Sequence, residues 1–299
     1  MTLHANEIPV DESVVRGLLR TQRPDLADLA VAHVGGGTDN TMYRVGADYL
    51  ARLPRTREKV TALEKELTWL PRLRSCLPRP IPTPLHAGQP GPDYPLAWAL
   101  YAWIDGDQVS AATVTDWHRY GRELAEFVGS LHAADLMGAT RSGDLSWYRG
   151  GTLQPDDDWI GPCFATARGH GADLDYERLE RLWRDALELP APSGPHVWLH
   201  ADLKPTNVLA RHGRLHAVID FGALSVGHPD AEHAVTWDLP AVARDAYRAS
   251  LDIGDLTWAR ARAWSLALGV NGVAEYWNSF PSFAAECLRR LHAIIADDD

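Results

Sequence analysis

The stretch Trp198-Leu199-His200-Ala201-Asp202-Leu203-Lys204-Pro205-Thr206-Asn207-Val208-Leu209, followed closely by Val218-Ile219-Asp220-Phe221-Gly222, decides how this chain is read. Short apolar runs at 197–199, 208–210 and 217–219 predict strands around polar residues, and Arg211-His212-Gly213-Arg214 fits the hairpin turn between the last two. Asp202 then lies in a loop after a strand, Asn207 opens the next strand, and Asp220 leaves the strand after that. A hairpin brings Asn207 and Asp220 to one edge, where they could share a metal ion, with Asp202 facing an acceptor. Phosphoryl transfer has a loose transition state, so an enzyme mainly aligns an acceptor hydroxyl and neutralises phosphate charge. It needs one carboxylate at the hydroxyl and hard oxygen ligands for magnesium, and this pattern supplies both.

Outward from this window the C-terminal part is helical. Apolar spacing predicts helices at 116–132, 175–187, 240–251, 257–277 and 283–295. The N-terminal part differs. A helix at 10–21 is followed by strands at 29–34, 41–45 and 49–53, broken by the turns Gly35-Gly36-Gly37-Thr38-Asp39-Asn40 and Gly46-Ala47-Asp48. A charged amphipathic helix at 59–73, a loop with Pro78, Pro80, Pro82 and Pro84, and one or two strands at 94–104 complete it. The expected class is α+β, with an antiparallel-sheet lobe at 1–102 and a helical lobe at 103–299.

These motifs resemble the aminoglycoside phosphotransferase family of small-molecule kinases, which share a bilobal protein-kinase-like fold. The family's His-Gly-Asp-Leu-x-x-x-Asn reads here as His200 to Asn207, with Ala201 at the Gly position, and Asp220-Phe221-Gly222 stands at the metal-binding Asp. The resemblance implies Asp202 as the base or hydroxyl-orienting residue, Asn207 and Asp220 as magnesium ligands, and His200 as a brace for the loop. It implies ATP or GTP as donor. Gly36, Gly37 and Thr38 would cover the phosphates with backbone N–H groups. Arg52 stands at the family's Lys position, with Glu66 as its partner, and the adenine would bond backbone groups of Ala102 and Ile104. Arg keeps the charge, but its planar fork is not an ammonium. Where the family has Gly-Asp-Pro-x-x-Asp, this chain has Gly227-His228-Pro229-Asp230-Ala231-Glu232. Glu232 would keep the structural role of the second Asp, and His228 departs at the first.

The acceptor expected is a small hydroxyl compound: an aminoglycoside or related antibiotic, with macrolides and amino sugars as alternatives. Trp237, Asp238, Glu275 and Asn278 offer aromatic faces and carboxylates for its recognition. Asp156-Asp157-Asp158 reads as a solvated loop that could border the cleft. A protein kinase is disfavoured because no Ala-Pro-Glu follows Asp220-Phe221-Gly222. A non-catalytic kinase-like binding protein, suggested by Arg52, Ala201 and His228, has Asp202, Asn207 and Asp220 against it.

Composition sets the remaining bounds. The 299 residues are 45% hydrophobic with net charge −11, which suits a cationic small substrate and disfavours a nucleic-acid partner. No apolar run reaches the roughly 20 residues of a membrane span. Glu7, Asp11 and Glu12 near the start argue against a secretory signal, so the cytoplasm is expected. Cys76, Cys163 and Cys287 form no C-x-x-C pair and suggest neither disulfides nor structural zinc.

Overall fold

The computed structural model describes residues 6–35, 37 and 39–297. They form two compact units: one runs to Gly106 and takes in His216–Ala223, and the other comprises Asp107–Leu215 and Leu224 onward.

The first unit is built on a sheet. Helix α1 (Glu12–Gln22) starts where the Asp11 carboxylate accepts the backbone N–H groups of Ser13 and Val14. Strands β1 (Val31–Gly35), β2 (Asn40–Val45) and β3 (Tyr49–Pro54) follow as a meander, then helix α2 (Val60–Leu73) and strands β4 (Pro84–Gly88) and β5 (Trp98–Ala102). The five strands are antiparallel in the order β1-β2-β3-β5-β4. Alternation in β2 sends Tyr43 and Val45 inward, where they meet Val15, Leu18 and Leu19 of α1 and Leu53, Trp98 and Leu100. The proline-rich loop expected before β5 ends in β4, whose first residue is Pro84. A proline that opens a strand forfeits no interior ladder bond, which is why the sequence hid this one.

The second unit is mainly helical. It contains β6 (Asp107–Gln108), α3 (Trp117–Ala133), α4 (Asp157–Gly169), α5 (Tyr176–Leu187), β7 (Val197–Leu199) and β8 (Val208–Arg211). Strand β9 (Arg214–Val218) carries the chain back to the first unit, where Val218 N–H bonds the Pro80 carbonyl. Then come β10 (Ser225–Gly227), a nine-residue 3₁₀ segment (Asp230–Asp238), α6 (Ala241–Leu251), α7 (Asp255–Tyr276) and α8 (Pro281–Ala296). β10 pairs antiparallel with β7, and β6, β8 and β9 form a three-stranded sheet. Phe164, Trp183, Trp237, Trp264, Val270, Leu291 and Ile294 share one core.

One reading needs correction. Asp156 ends a 3₁₀ turn and Asp157 and Asp158 open α4, so the run is not a loop, although Asp157 and Asp158 are exposed; Asp156 accepts the indole N–H of Trp159 at 2.9 Å, and Asp157 that of Trp183 at 2.7 Å. The α+β class expected from the sequence is the one adopted. Among the described residues no helix is long and apolar enough to cross a membrane.

Candidate active site

The loop between β7 and β8 carries a dense polar network. His200 is fully buried, and the buried Glu232 carboxylate accepts the N–H groups of His200 (2.9 Å) and Ala201 (2.8 Å), one on each oxygen. Burial pushes the Glu232 carboxyl up to about 7, against the opposing pull of those two N–H donors. His200 Nδ1 accepts the Asp202 N–H at 3.2 Å, so the ring carries no proton on that nitrogen and braces the loop. Ala201 has φ of 61°, a left-handed turn that aims Asp202 out of the strand.

The Asp202 carboxylate has three partners. Arg149 Nη1 lies 2.6 Å from Oδ1 and also bonds the Ala201 carbonyl at 2.7 Å. Lys204 Nζ lies 3.0 Å from Oδ2, and Asn207 Nδ2 donates to Oδ2 at 3.1 Å and to the Asp202 carbonyl at 2.9 Å. Burial raises the Asp202 pKa, but Arg149 and then Lys204 outweigh it and hold the group down at about 2. Asp202 is therefore ionised at neutral pH. Asn207, buried in a 3₁₀ turn (Pro205–Asn207), uses its amide N–H₂ on Asp202, which leaves Oδ1 as the atom to offer a cation.

In the sheet unit, Arg52 of β3 and Glu66 of α2 form a buried ion pair at 2.7 Å, and the Tyr101 hydroxyl donates to the same Glu66 oxygen at 2.9 Å. Burial opposes the Arg52 charge, but Glu66 overrides it and keeps the guanidinium protonated. Arg52 Nη2 is also 3.5 Å from Asp220 Oδ1. Asp220 has φ of 65°, and its side chain is 49% exposed. Arg52 Nε and Glu66 Oε1 are buried without a hydrogen-bond partner. The Nη2 end of this guanidinium, beside a half-exposed carboxylate, has the chemistry to meet a phosphate oxygen and a hard cation.

The other expected residues are scattered. Gly36 and Thr38 lie outside the described residues, and the Gly37 carbonyl accepts from Arg55 Nε. The Ala102 N–H bonds the Thr83 carbonyl, which leaves that donor engaged within the sheet. Ile104 lies two residues past the end of β5 and is half-buried. Trp237 is buried in the helical core, and both Asp238 oxygens are held by Arg290, at 2.7 and 2.5 Å. Glu275 and Asn278 are exposed, at and just beyond the C-terminal end of α7. His233 is buried against Tyr247 and His132, while the His228 ring packs on His196. Among the described residues no group of three or more His, Cys, Asp or Glu could hold a metal. Sequence reasoning missed Arg149, which lies 53 positions before Asp202 in an irregular segment and has no motif spacing to betray it.

No functionally curated protein sequence matches the chain. Among solved structures, a GDP and kanamycin complex of an aminoglycoside 2″-phosphotransferase matches with TM-score 0.70 at 19% identity, covering 94% of this chain and 98% of that one. A GDP complex of a variant of aminoglycoside 2′-phosphotransferase-IIIa matches with TM-score 0.73 at 21% identity, covering 96% and 98%. Macrolide 2′-phosphotransferase MphH from Brachybacterium faecium, as apoenzyme, matches with TM-score 0.62 at 20% identity, covering 93% and 97%. At these identities the likeness establishes the fold, which is the kinase-like one. A family model described as the phosphotransferase enzyme family spans residues 30–264, and the chain belongs to that family.

Proposed function

We propose that the protein transfers the γ-phosphate of ATP or GTP to a hydroxyl of a small molecule of the aminoglycoside or macrolide type, with Asp202 at the acceptor. The observation that carries this reading is Asp202 itself, an ionised carboxylate fixed by Arg149, Lys204 and Asn207 in a loop anchored by Glu232. The complexes with GDP and kanamycin, and with GDP alone, among proteins of the same fold lend it support.

Asp202 accepts the hydrogen bond of the acceptor hydroxyl and turns its oxygen toward the phosphorus. A carboxylate held near 2 is a weak base in the resting state, so orientation comes first and the proton reaches a carboxylate oxygen only as the new O–P bond forms. Arg52, tied to Glu66 through Nη1, would turn its Nη2 end, beside Asp220, toward phosphate oxygens. Asn207 Oδ1 and the Asp220 carboxylate would hold magnesium, which when bound neutralises phosphate charge. Of the four residues expected to recognise the acceptor, Glu275 and Asn278 have side chains open to one, whereas Asp238 is already neutralised by Arg290.

The test is ADP or GDP release from the magnesium nucleotide in the presence of kanamycin, gentamicin, streptomycin, a macrolide and simple amino sugars. Asp202→Ala should abolish release while nucleotide binding persists. Full activity in that variant would remove Asp202 from the chemistry, and no turnover of any acceptor with nucleotide binding intact would favour a non-catalytic role.

A further inference from the structure

We propose that residues 147–150 form the acceptor-presenting element of the helical unit: Arg149 is a positioning residue that fixes Asp202, and the exposed ring of Trp147, backed by Tyr148, receives the neutral ring face of the acceptor. This rests on the reading of Asp202 as the residue that meets the acceptor hydroxyl.

The geometry begins at Arg149. A single nitrogen, Nη1, bonds both the Ala201 carbonyl (2.7 Å) and Asp202 Oδ1 (2.6 Å), so the carboxylate is fixed relative to its own backbone. Nε is held in turn by the Tyr148 hydroxyl at 2.9 Å. The Arg149 side chain is 18% exposed, and a rigid fork in that setting loses little freedom on holding its partner. Lys204, on a flexible stem and 31% exposed, occupies Oδ2 instead. Oδ1 is thus the permanently held oxygen, and Oδ2 is the one whose ammonium partner an incoming hydroxyl can displace.

The segment that carries Arg149 is itself braced. The Gly150 carbonyl accepts the His228 N–H at 2.9 Å, and the two backbones touch at Gly150 and Gly227. A Cβ on Gly227 would lie 2.5 Å from both Cα and O of Gly150, so only glycine fits there. Gly227 ends β10, which pairs with β7, the strand that leads into the catalytic loop. Arg149 and Asp202 are therefore registered to the same strand pair, and their relation does not depend on a loose loop.

The same turn presents an aromatic surface. Trp147 is 41% exposed, and its ring lies 5.2 Å from that of Tyr148. Tyr148 is itself enclosed, by Trp159 at 6.1 Å, Trp264 at 6.0 Å and the Arg149 guanidinium 5.4 Å from its ring centre, so it serves as a rigid backing for Trp147. Rings of this kind bind apolar sugar or macrocycle faces. The positive charges of Arg149 and Lys204 flank the carboxylate, so the acceptor face that enters here is one without an ammonium group.

The test uses the full chain with Arg149→Met, Arg149→Lys and Trp147→Ala, assayed with the acceptor panel and for acceptor-free hydrolysis of Mg-ATP. R149M should lower kcat on the order of 100-fold in both assays with the nucleotide KM unchanged, and R149K should recover part of that loss. W147A should raise the acceptor KM roughly 2- to 10-fold without moving the nucleotide KM. Wild-type kcat in R149M, or a rise in nucleotide KM with kcat unchanged, would overturn the positioning role, and an unchanged acceptor KM in W147A would overturn the ring platform. Should R149M melt early, R149K carries the test: a lower kcat at native Tm supports the role and an unchanged kcat overturns it. Failure of the underlying reading looks different, because it leaves Asp202→Ala active.

Discussion

Ala201 offers a direct measurement of how much strain the loop between β7 and β8 stores. Its φ of 61° lies in the left-handed region, which costs an L-residue about 1–2 kcal/mol relative to the right-handed one and costs glycine almost nothing. Ala201→Gly relieves that strain. It also removes a methyl group that is 4% exposed, worth about 0.8 kcal/mol, and adds about 0.4–1 kcal/mol of unfolded-chain entropy. These terms nearly cancel, so A201G should change stability by less than about 1 kcal/mol in either direction. Ala210 of β8 is the control: it is 1% exposed at an ordinary negative φ, and A210G loses the same methyl and entropy with no strain to recover. A210G should therefore be about 1–2 kcal/mol worse than A201G, several degrees in Tm. Thermal unfolding of both variants by circular dichroism, with and without nucleotide, gives the comparison. Turnover in A201G should persist, because the Ala201 groups that hold Glu232 and Arg149 are backbone N–H and C=O. Equal losses in the two variants would refute the claim that the turn is strained.

Two further outcomes follow from packing and burial. Gly121→Ala in α3 would set a methyl carbon 2.2 Å from the Ala243 carbonyl oxygen of α6, so it should destabilise by about 1–3 kcal/mol despite the better helix propensity of alanine, seen as a lower urea midpoint. His233, buried, and its neighbour His132, half-buried with a buried Nε2, are held neutral by desolvation, with pKa lowered to about 3 and about 4. Because the unfolded chain takes up these protons near pH 6.5 and the folded one does not, stability should be full above that pH and fall as pH drops toward 4. The loss is about 2 kcal/mol per histidine by pH 5. His132 Nε2 has no partner to lose, so His132→Leu should remove about half of this slope in urea titrations at pH 5 and 7, and an unchanged slope would rule the histidines out as its source.

What was readable in the sequence follows from what the chemistry constrains. The proposed phosphoryl transfer would call for Asp202, Asn207 and Asp220 as those residue types at those offsets, and alternation in β2 and helical spacing in α3, α5 and α8 mark one buried face each. Other features left no such trace. Pro162 sits inside α4, and the acidic run at its start reads as a solvent loop until the indoles of Trp159 and Trp183 are seen to bond it. The 3₁₀ segment Asp230–Asp238 has no helical period, so nothing in it announces that Trp237 is core or that Asp238 is spent on Arg290. Arg149 meets Asp202 across 53 positions of chain, beside the Gly150–Gly227 contact, a tertiary fact without a local signature.

The departures from the family pattern share one physical logic, which argues against reading them as signs of lost function. At Ala201 the groups in use are the N–H toward Glu232 and the carbonyl toward Arg149, so a methyl in place of hydrogen adds strain without removing a contact. At His228 the backbone N–H holds Gly150, and any residue other than proline could donate that bond; its ring packs on His196, apart from that contact. At Arg52 the side chain does matter, and there the fork reaches two carboxylates at once, Glu66 at 2.7 Å and Asp220 at 3.5 Å, while Nε stays unused. An ammonium would contribute a point charge at that place, whereas the guanidinium brings spare donors in fixed directions. Where the chain departs from the pattern, it keeps the backbone donor, the carbonyl or the positive charge that the proposed site would use.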